Sequence, residues 1–194
     1  GGALAIMLGA TDPRVDSVVG VVAWNDLADA FFPQFAVVGP RSPLGPAQVD
    51  RSVEPGPLKA LWASRFFGSA LAAAGSPGAG VGAGAHPSSG GGAGAVCGRF
   101  DPTVCRLFLE ATVTGRPSPE LLTVLRAHSP RPLLAGLRAP TMLVQGMADS
   151  LFGIEQAAAT ARAIAVQVPR LAIRWIDGGH DGLSSTAAAD EQAL

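Results

Sequence analysis

Apolar residues follow two rhythms along this chain, and each rhythm predicts a different element. From Gly1 to Thr11 small and apolar side chains dominate (Ala3, Leu4, Ala5, Ile6, Met7, Leu8), and Asp12-Pro13 then interrupts the pattern. That reads as a helix with a stop signal. Val18, Val19, Val21 and Val22 follow as a β-branched run ending at Trp24, the pattern of a strand buried on both faces. Far along the chain, Pro140 introduces a second short apolar run, Thr141 to Val144. Gly153 to Ala165 reads as an Ala-rich helix, and Leu171 to Ile176 as a third strand. Helix, strand, helical insertion, strand, helix, strand is an α/β order, and it predicts a parallel sheet.

The middle of the chain is patterned differently. Asn25 is placed to cap a short helix through Phe32, after which six prolines between Pro33 and Pro57 make 35–57 an irregular connection. Leu58, Leu61, Trp62, Phe66 and Ala70 recur at helical spacing and predict an amphipathic helix over 58–74. Between Gly75 and Ala95 every residue except Val81 and His86 is Gly, Ala, Ser or Pro. Such a segment buries too little surface to offset ordering entropy, so a mobile loop is expected, with His86 lacking a partner. Pro102 to Thr114 and Pro119 to His128 carry apolar residues at helical intervals, each with Pro at its start. The expected organisation is a core made of 1–34 and 131–194, interrupted by a helical cap at 35–130 with a Gly/Ala-rich loop at 75–95.

Composition narrows the class. With 194 residues, 48% of them hydrophobic, and a mean hydropathy of +0.32, the chain has material for one sizeable core. A net charge of -1 offers no electrostatic footprint for nucleic acid. The uncharged stretch from Phe66 to Gly98 is too weakly apolar to span a bilayer. A cytoplasmic protein without a membrane span is expected. The opening Gly1-Gly2, without Met or a signal-peptide pattern, predicts a fragment of a longer polypeptide. Cys97 and Cys105 have no nearby His to complete a metal site. Two buried free thiols are the expectation, and a disulfide requires an oxidising compartment.

Chemistry concentrates at the ends of the predicted strands. Asp149 follows the second strand through Gln145-Gly146-Met147-Ala148, and His180 follows the third through Asp177-Gly178-Gly179. In parallel sheets, reactive side chains gather at the carboxyl ends of strands. A carboxylate there holds an imidazole in one tautomer, and the imidazole then serves as a base for a hydroxyl nucleophile. Asp149 before His180 matches the last two members of the order nucleophile, acid, base. The plainer alternatives are that Asp149 caps the following helix and that His180 is an ordinary loop residue. Asp177 and Asp181 are rival carboxylates whose closeness in sequence suits a surface loop. No complete Gly-x-Ser-x-Gly is present: Gly182-Leu183-Ser184 lacks the closing glycine and lies beside His180, and neither Ser129 nor either cysteine has the strand-turn-helix context of a nucleophile. Gly1-Gly2 opens a helix of small residues as the residues after a nucleophile elbow do, which predicts a serine two residues before Gly1.

These stretches together resemble the X-Pro dipeptidyl-peptidase and cocaine-esterase family of α/β-hydrolases, especially bacterial members joined to an ABC-transporter ATPase. The resemblance lies in Gly-Gly-Ala-Leu-Ala at 1–5, Ala-Thr-Asp-Pro-Arg-Val-Asp at 10–16 and Trp-Asn-Asp-Leu at 24–27. It continues in Cys-Gly-Arg-Phe-Asp-Pro at 97–102, Gln-Gly-Met-Ala-Asp-Ser-Leu-Phe at 145–152 and Gly-Gly-His-Asp-Gly at 178–182. It implies the last parallel strands of an α/β-hydrolase domain, with Asp149 as triad acid, His180 as base, and Trp24 and Phe32 near the substrate. It implies a peptide or ester substrate, no cofactor and no metal. Without the serine and its oxyanion donors, the chain by itself is expected to be inactive. A hydrolase-shaped binding module without catalysis and a fragment with no independent fold are the two other readings.

Overall fold

The apolar opening of the chain folds as α1, Gly2–Thr11, and its burial follows an i, i+3 stripe through Ala3, Ile6 and Gly9. The computed structural model describes residues 1–33, 56–75 and 100–181. The first strand, β1, is Val18–Val21. It stops short of Trp24 because Val22 adopts a left-handed backbone, φ 43°. A β-branched residue there costs on the order of 1–2 kcal/mol and turns the chain out of the sheet. β2 is Thr141–Gly146 and β3 is Leu171–Ile176. The three strands form an all-parallel sheet in the order β1-β2-β3, with Val18 opposite Thr141 and Thr141 opposite Leu171.

Burial corrects one expectation. β1 is not covered on both faces: Val18 is buried, while Val19 and Val21 are 40% and 37% exposed. The α1 side of the sheet explains the asymmetry. Gly9 lies against Val18, Gly20 against Ile6, and Gly2 against the backbone of Val21, so close that a Cβ on Gly2 would stand 2.1 Å from the Val21 carbonyl oxygen. Helix α1 therefore runs antiparallel to β1, with its N-terminus at the strand's carboxyl end. The central strand β2 is the deeply buried one, and β3, at the edge, is largely exposed. Helix α2 is Leu27–Phe31. The expected Asn25 cap is also corrected: the Asp26 carboxylate accepts the Ala28 N–H, and the Asn25 amide instead donates to Thr160.

By its contacts the chain divides into two compact units, Gly1–Ala30 with Leu125–Leu194, and Phe31–Val124. The first holds the sheet and a core of Ile6, Val18, Leu134, Leu137, Leu143, Ala161 and Ile164. Leu134 enters that core from a 3-10 turn at Arg131–Gly136 and Leu137 from the residue that caps it, a turn the hydrophobic rhythm did not announce. In the second unit α3 spans Ala60–Gly75 and α4 Pro102–Thr114, and α5, Pro119–Ala127, ends across the boundary. Helix α3 begins later than expected because the N–H groups of Leu58 and Lys59 bond the carbonyls of Gly115 and Phe31. Asp101 caps α4 through the Thr103 and Val104 N–H groups, and Gly115 closes it in the left-handed region. Phe67 stacks on Phe108 with ring centroids 3.6 Å apart. Phe32 is buried in the second unit, 2% exposed. The free-thiol expectation fails at Cys105, which is disulfide-bonded. Cys97, His86, the Gly/Ala-rich loop and most of the Pro-rich connection lie outside the described residues.

No helix among the described residues is long and apolar enough to cross a membrane. Among those residues, no group of three or more His, Cys, Asp or Glu is placed to hold a metal ion.

Candidate active site

Pairing between β2 and β3 does not end where the strands do. The Met147 N–H bonds the Ile176 carbonyl at 2.9 Å, and the Ala148 N–H bonds that of Gly178 at 3.0 Å. Past these rungs the two loops meet through side chains. His180 Nδ1 lies 2.6 Å from Asp149 Oδ2, so the two residues singled out from the sequence are in direct hydrogen-bond contact. The approach depends on Gly179. Its φ is +153°, and a Cβ there would stand 2.5 Å from both Cα and Cβ of Asp149. Replacing Gly179 with alanine is expected to cost about 2–4 kcal/mol, from backbone strain and overpacking together, and to part His180 from Asp149. Urea denaturation measures it, and an unchanged midpoint would mean that the loop is not seated on Asp149.

The Asp149 carboxylate is fully occupied. Oδ1 accepts the N–H groups of Leu151 and Phe152, both at 2.9 Å, while Oδ2 faces the imidazole. One oxygen therefore serves the turn and the other the imidazole. The turn it caps precedes helix α6, Ile154–Ile164, whose own N-cap is Gly153. The Asp149 side chain is 0% exposed and that of His180 is 29% exposed. Burial is the largest single influence on this carboxyl and pushes its pKa up. The His180 hydrogen bond, the Phe152 N–H, the attraction of the imidazolium and the Leu151 N–H together outweigh it, and the pKa lies below its ordinary value.

The sign of the linkage follows. A carboxyl with a depressed folded-state pKa adds stability that is present above its unfolded-state value and lost as pH falls through the folded one. The urea midpoint is therefore expected to drop on acidification below the ordinary carboxylate range. Asp149→Asn should flatten that part of the profile. Parallel profiles for the two proteins would remove Asp149 as a contributor.

Aromatic packing sets the ring. Phe152 meets His180 edge-on, with centroids 5.1 Å apart at 87°, and Trp24 lies 5.2 Å from Phe152. The Trp24 indole N–H is tied to the His128 carbonyl at 3.1 Å. Gln145, buried in β2, donates to the Phe152 carbonyl at 2.5 Å and so braces the acid turn from beneath. Gln156, on α6, accepts the N–H groups of Asn25 and Asp26, fixing the segment that carries Trp24. Ser129 is not available as a nucleophile: it is 0% exposed, accepts the Leu27 N–H and donates to the Leu125 carbonyl. Asp181, one of the rival carboxylates, takes both the N–H and the hydroxyl of Ser150.

No protein-family model and no curated protein matches the chain. Among solved structures it is similar to esterases. The esterase E22 L374D mutant aligns with a TM-score of 0.44 at 14% identity, over 99% of this chain and 57% of that one. The Pyrococcus furiosus esterase Pf2001 aligns with a TM-score of 0.29 at 15% identity, over 39% of this chain and 31% of that one. The chain thus spans less than two thirds of the length of either.

Phe152, Gln145, Gln156 and Ser150 were not singled out from the sequence, and Asp181 was weighed only as a rival carboxylate. A polar residue closing an apolar strand, as Gln145 does, is a readable signal. An Asp followed within three residues by an aromatic is a weaker one, since the turn that joins them is visible only once its N–H groups are placed.

Proposed function

We propose that this chain carries the acid and the base of a serine hydrolase that works by acyl transfer on an ester or on the peptide bond after a proline. The observation that carries the proposal is the Asp149–His180 contact of 2.6 Å, built on the carboxyl ends of adjacent parallel strands with the carboxylate buried. With Nδ1–H held by Asp149, the neutral imidazole presents Nε2 as the base. In this reading a serine two residues before Gly1 sits at the turn into α1, whose N-terminus lies at the carboxyl end of β1.

The steps follow from that arrangement. Nε2 takes the serine proton as Oγ bonds to the carbonyl carbon, and returns it to the leaving oxygen or nitrogen as that bond breaks. Water then repeats the sequence on the acyl-enzyme. Asp149 keeps its negative charge throughout and stabilises the imidazolium. Trp24 and Phe152 form the apolar flank of the base. No metal or organic cofactor enters the scheme.

The resemblance in residues 1–5, 10–16, 24–27, 97–102, 145–152 and 178–182 supports the substrate class, and a parent protein coupled to an ABC-transporter ATPase. Leu4, Leu8, Val19, Val21, Ile173 and Trp175 are large apolar side chains left at the surface, as expected where further parts of a larger domain cover them.

The test is reaction of the complete gene product with a fluorophosphonate probe. Labelling at the residue two positions before Gly1, lost in His180→Ala, is the expected result. A residue other than Ser, Cys or Asp at that position, or labelling that persists in His180→Ala, sinks the proposal. Glycine or alanine there would instead leave a binding module of hydrolase shape.

A further inference from the structure

A loop that carries a base on two glycines needs something to hold it. Gly178 and Gly179 both have positive φ, 92° and 153°, and glycine leaves the chain free to adopt other conformations at little steric cost. The Asp149–His180 bond and the edge of Phe152 hold the ring, but not the backbone that carries it. The loop is seated on Asp149 just before His180, through Gly179. A second tie lies just after it, where Asp181 Oδ2 accepts the Ser150 N–H at 2.5 Å and Oδ1 accepts the Ser150 hydroxyl at 2.5 Å. Ser150 adjoins the acid and Asp181 adjoins the base, so this tie lies in register with theirs, one residue further on. Bonds to a charged acceptor are the stronger kind, and two of them to one carboxylate also fix its orientation.

We propose that Ser150 and Asp181 are positioning residues that latch the base loop to the acid turn and keep His180 Nδ1 on Asp149. The inference rests on the acid-and-base reading of that pair. The latch has two effects. It clamps the loop on both sides of the imidazole, so that the backbone cannot carry the ring away from Asp149 without breaking bonds at Ser150. It also engages both oxygens of a carboxylate that is the chain neighbour of the base. A loose Asp181 is a competitor for the imidazole N–H, and a pair formed with it at the exposed end of the loop would turn the ring away from the buried acid.

The experiment reads the His180 Nδ1 proton in the intact protein, as a low-field proton NMR resonance, and its exchange rate with solvent. No substrate and no nucleophile is needed. Exchange should speed up roughly tenfold in Ser150→Ala, which loses the hydroxyl bond and keeps the backbone one, and further in Asp181→Ala. Ser150→Thr, which retains the hydroxyl, should restore the wild-type rate, a recovery that a merely structural role for the position does not require. Exchange within about twofold of wild type in both Ser150→Ala and Asp181→Ala, or an acceleration that Ser150→Thr fails to reverse, overturns the proposal. Failure of probe labelling in the wild-type protein would sink the hydrolase reading while leaving this measurement to decide the latch.

Discussion

Turnover by the complete protein is expected to fall on the order of a millionfold when His180 is replaced by alanine. The size of the effect comes from the interdependence of nucleophile, base and acid, since a hydroxyl with no base to take its proton is a poor nucleophile at neutral pH. Stability should change far less. The imidazole is partly exposed, and Asp149 retains the Leu151 and Phe152 N–H bonds after its loss. Steady-state kinetics with a chromogenic short-chain ester, alongside a urea melt, separates the two quantities. A loss below about tenfold would take His180 out of the chemistry, because even a single general base contributes roughly a hundredfold or more.

Asp149→Asn is expected to lower turnover on the order of ten-thousandfold, the scale seen for the same change in a serine protease triad. The substitution is nearly isosteric. Its carbonyl oxygen can keep both backbone N–H bonds that form the turn, so the local fold is retained. The oxygen facing His180 becomes an NH2 group, which cannot accept a proton. Nδ1 must then act as acceptor, the ring proton moves to Nε2, and the nitrogen that should take the serine proton already holds one. The plain capping reading of Asp149 predicts the opposite, because an amide serves the Leu151 and Phe152 N–H groups almost as well. A variant with full turnover and unchanged stability would favour the cap. A loss in kcat with little change in KM would favour the acid.

Much of the first unit was legible from the sequence because its elements announce themselves locally. The alternation of a Val-rich run, an Ala-rich helix and an apolar strand ending in a loop with Asp or His needs no tertiary information, and α1, β2, α6 and β3 follow it closely. The readings that failed depend on contacts between distant residues. Burial of β1 on both faces could not be tested from a run of valines, whose rhythm is the same whether one face or two is covered. Asn25 and Asp26 both suit a helix start, and the choice between them rests on Thr160, far along the chain, taking the Asn25 amide. Leu58 fits a helical stripe, yet its N–H and that of Lys59 were drawn to carbonyls outside the helix. Asp149 and His180 drew attention because each lies at a strand end, and the structure brings them into contact. Asp181 was weighed only as a rival carboxylate, and Ser150 and Phe152 not at all, since nothing in their spacing distinguishes them from ordinary turn residues.

Asp149 and His180 lie on one supersecondary unit, strand-helix-strand, that runs without interruption from Thr141 to Asp181. The proposed nucleophile comes from outside that unit, ahead of α1. On the proposal above, a cut of the complete polypeptide between Thr11 and Thr141 leaves the nucleophile on one half and the Asp149–His180 pair on the other, and neither half is expected to hydrolyse alone. Such a division suits a split reporter, in which hydrolysis returns only when two fused partners bring the halves together.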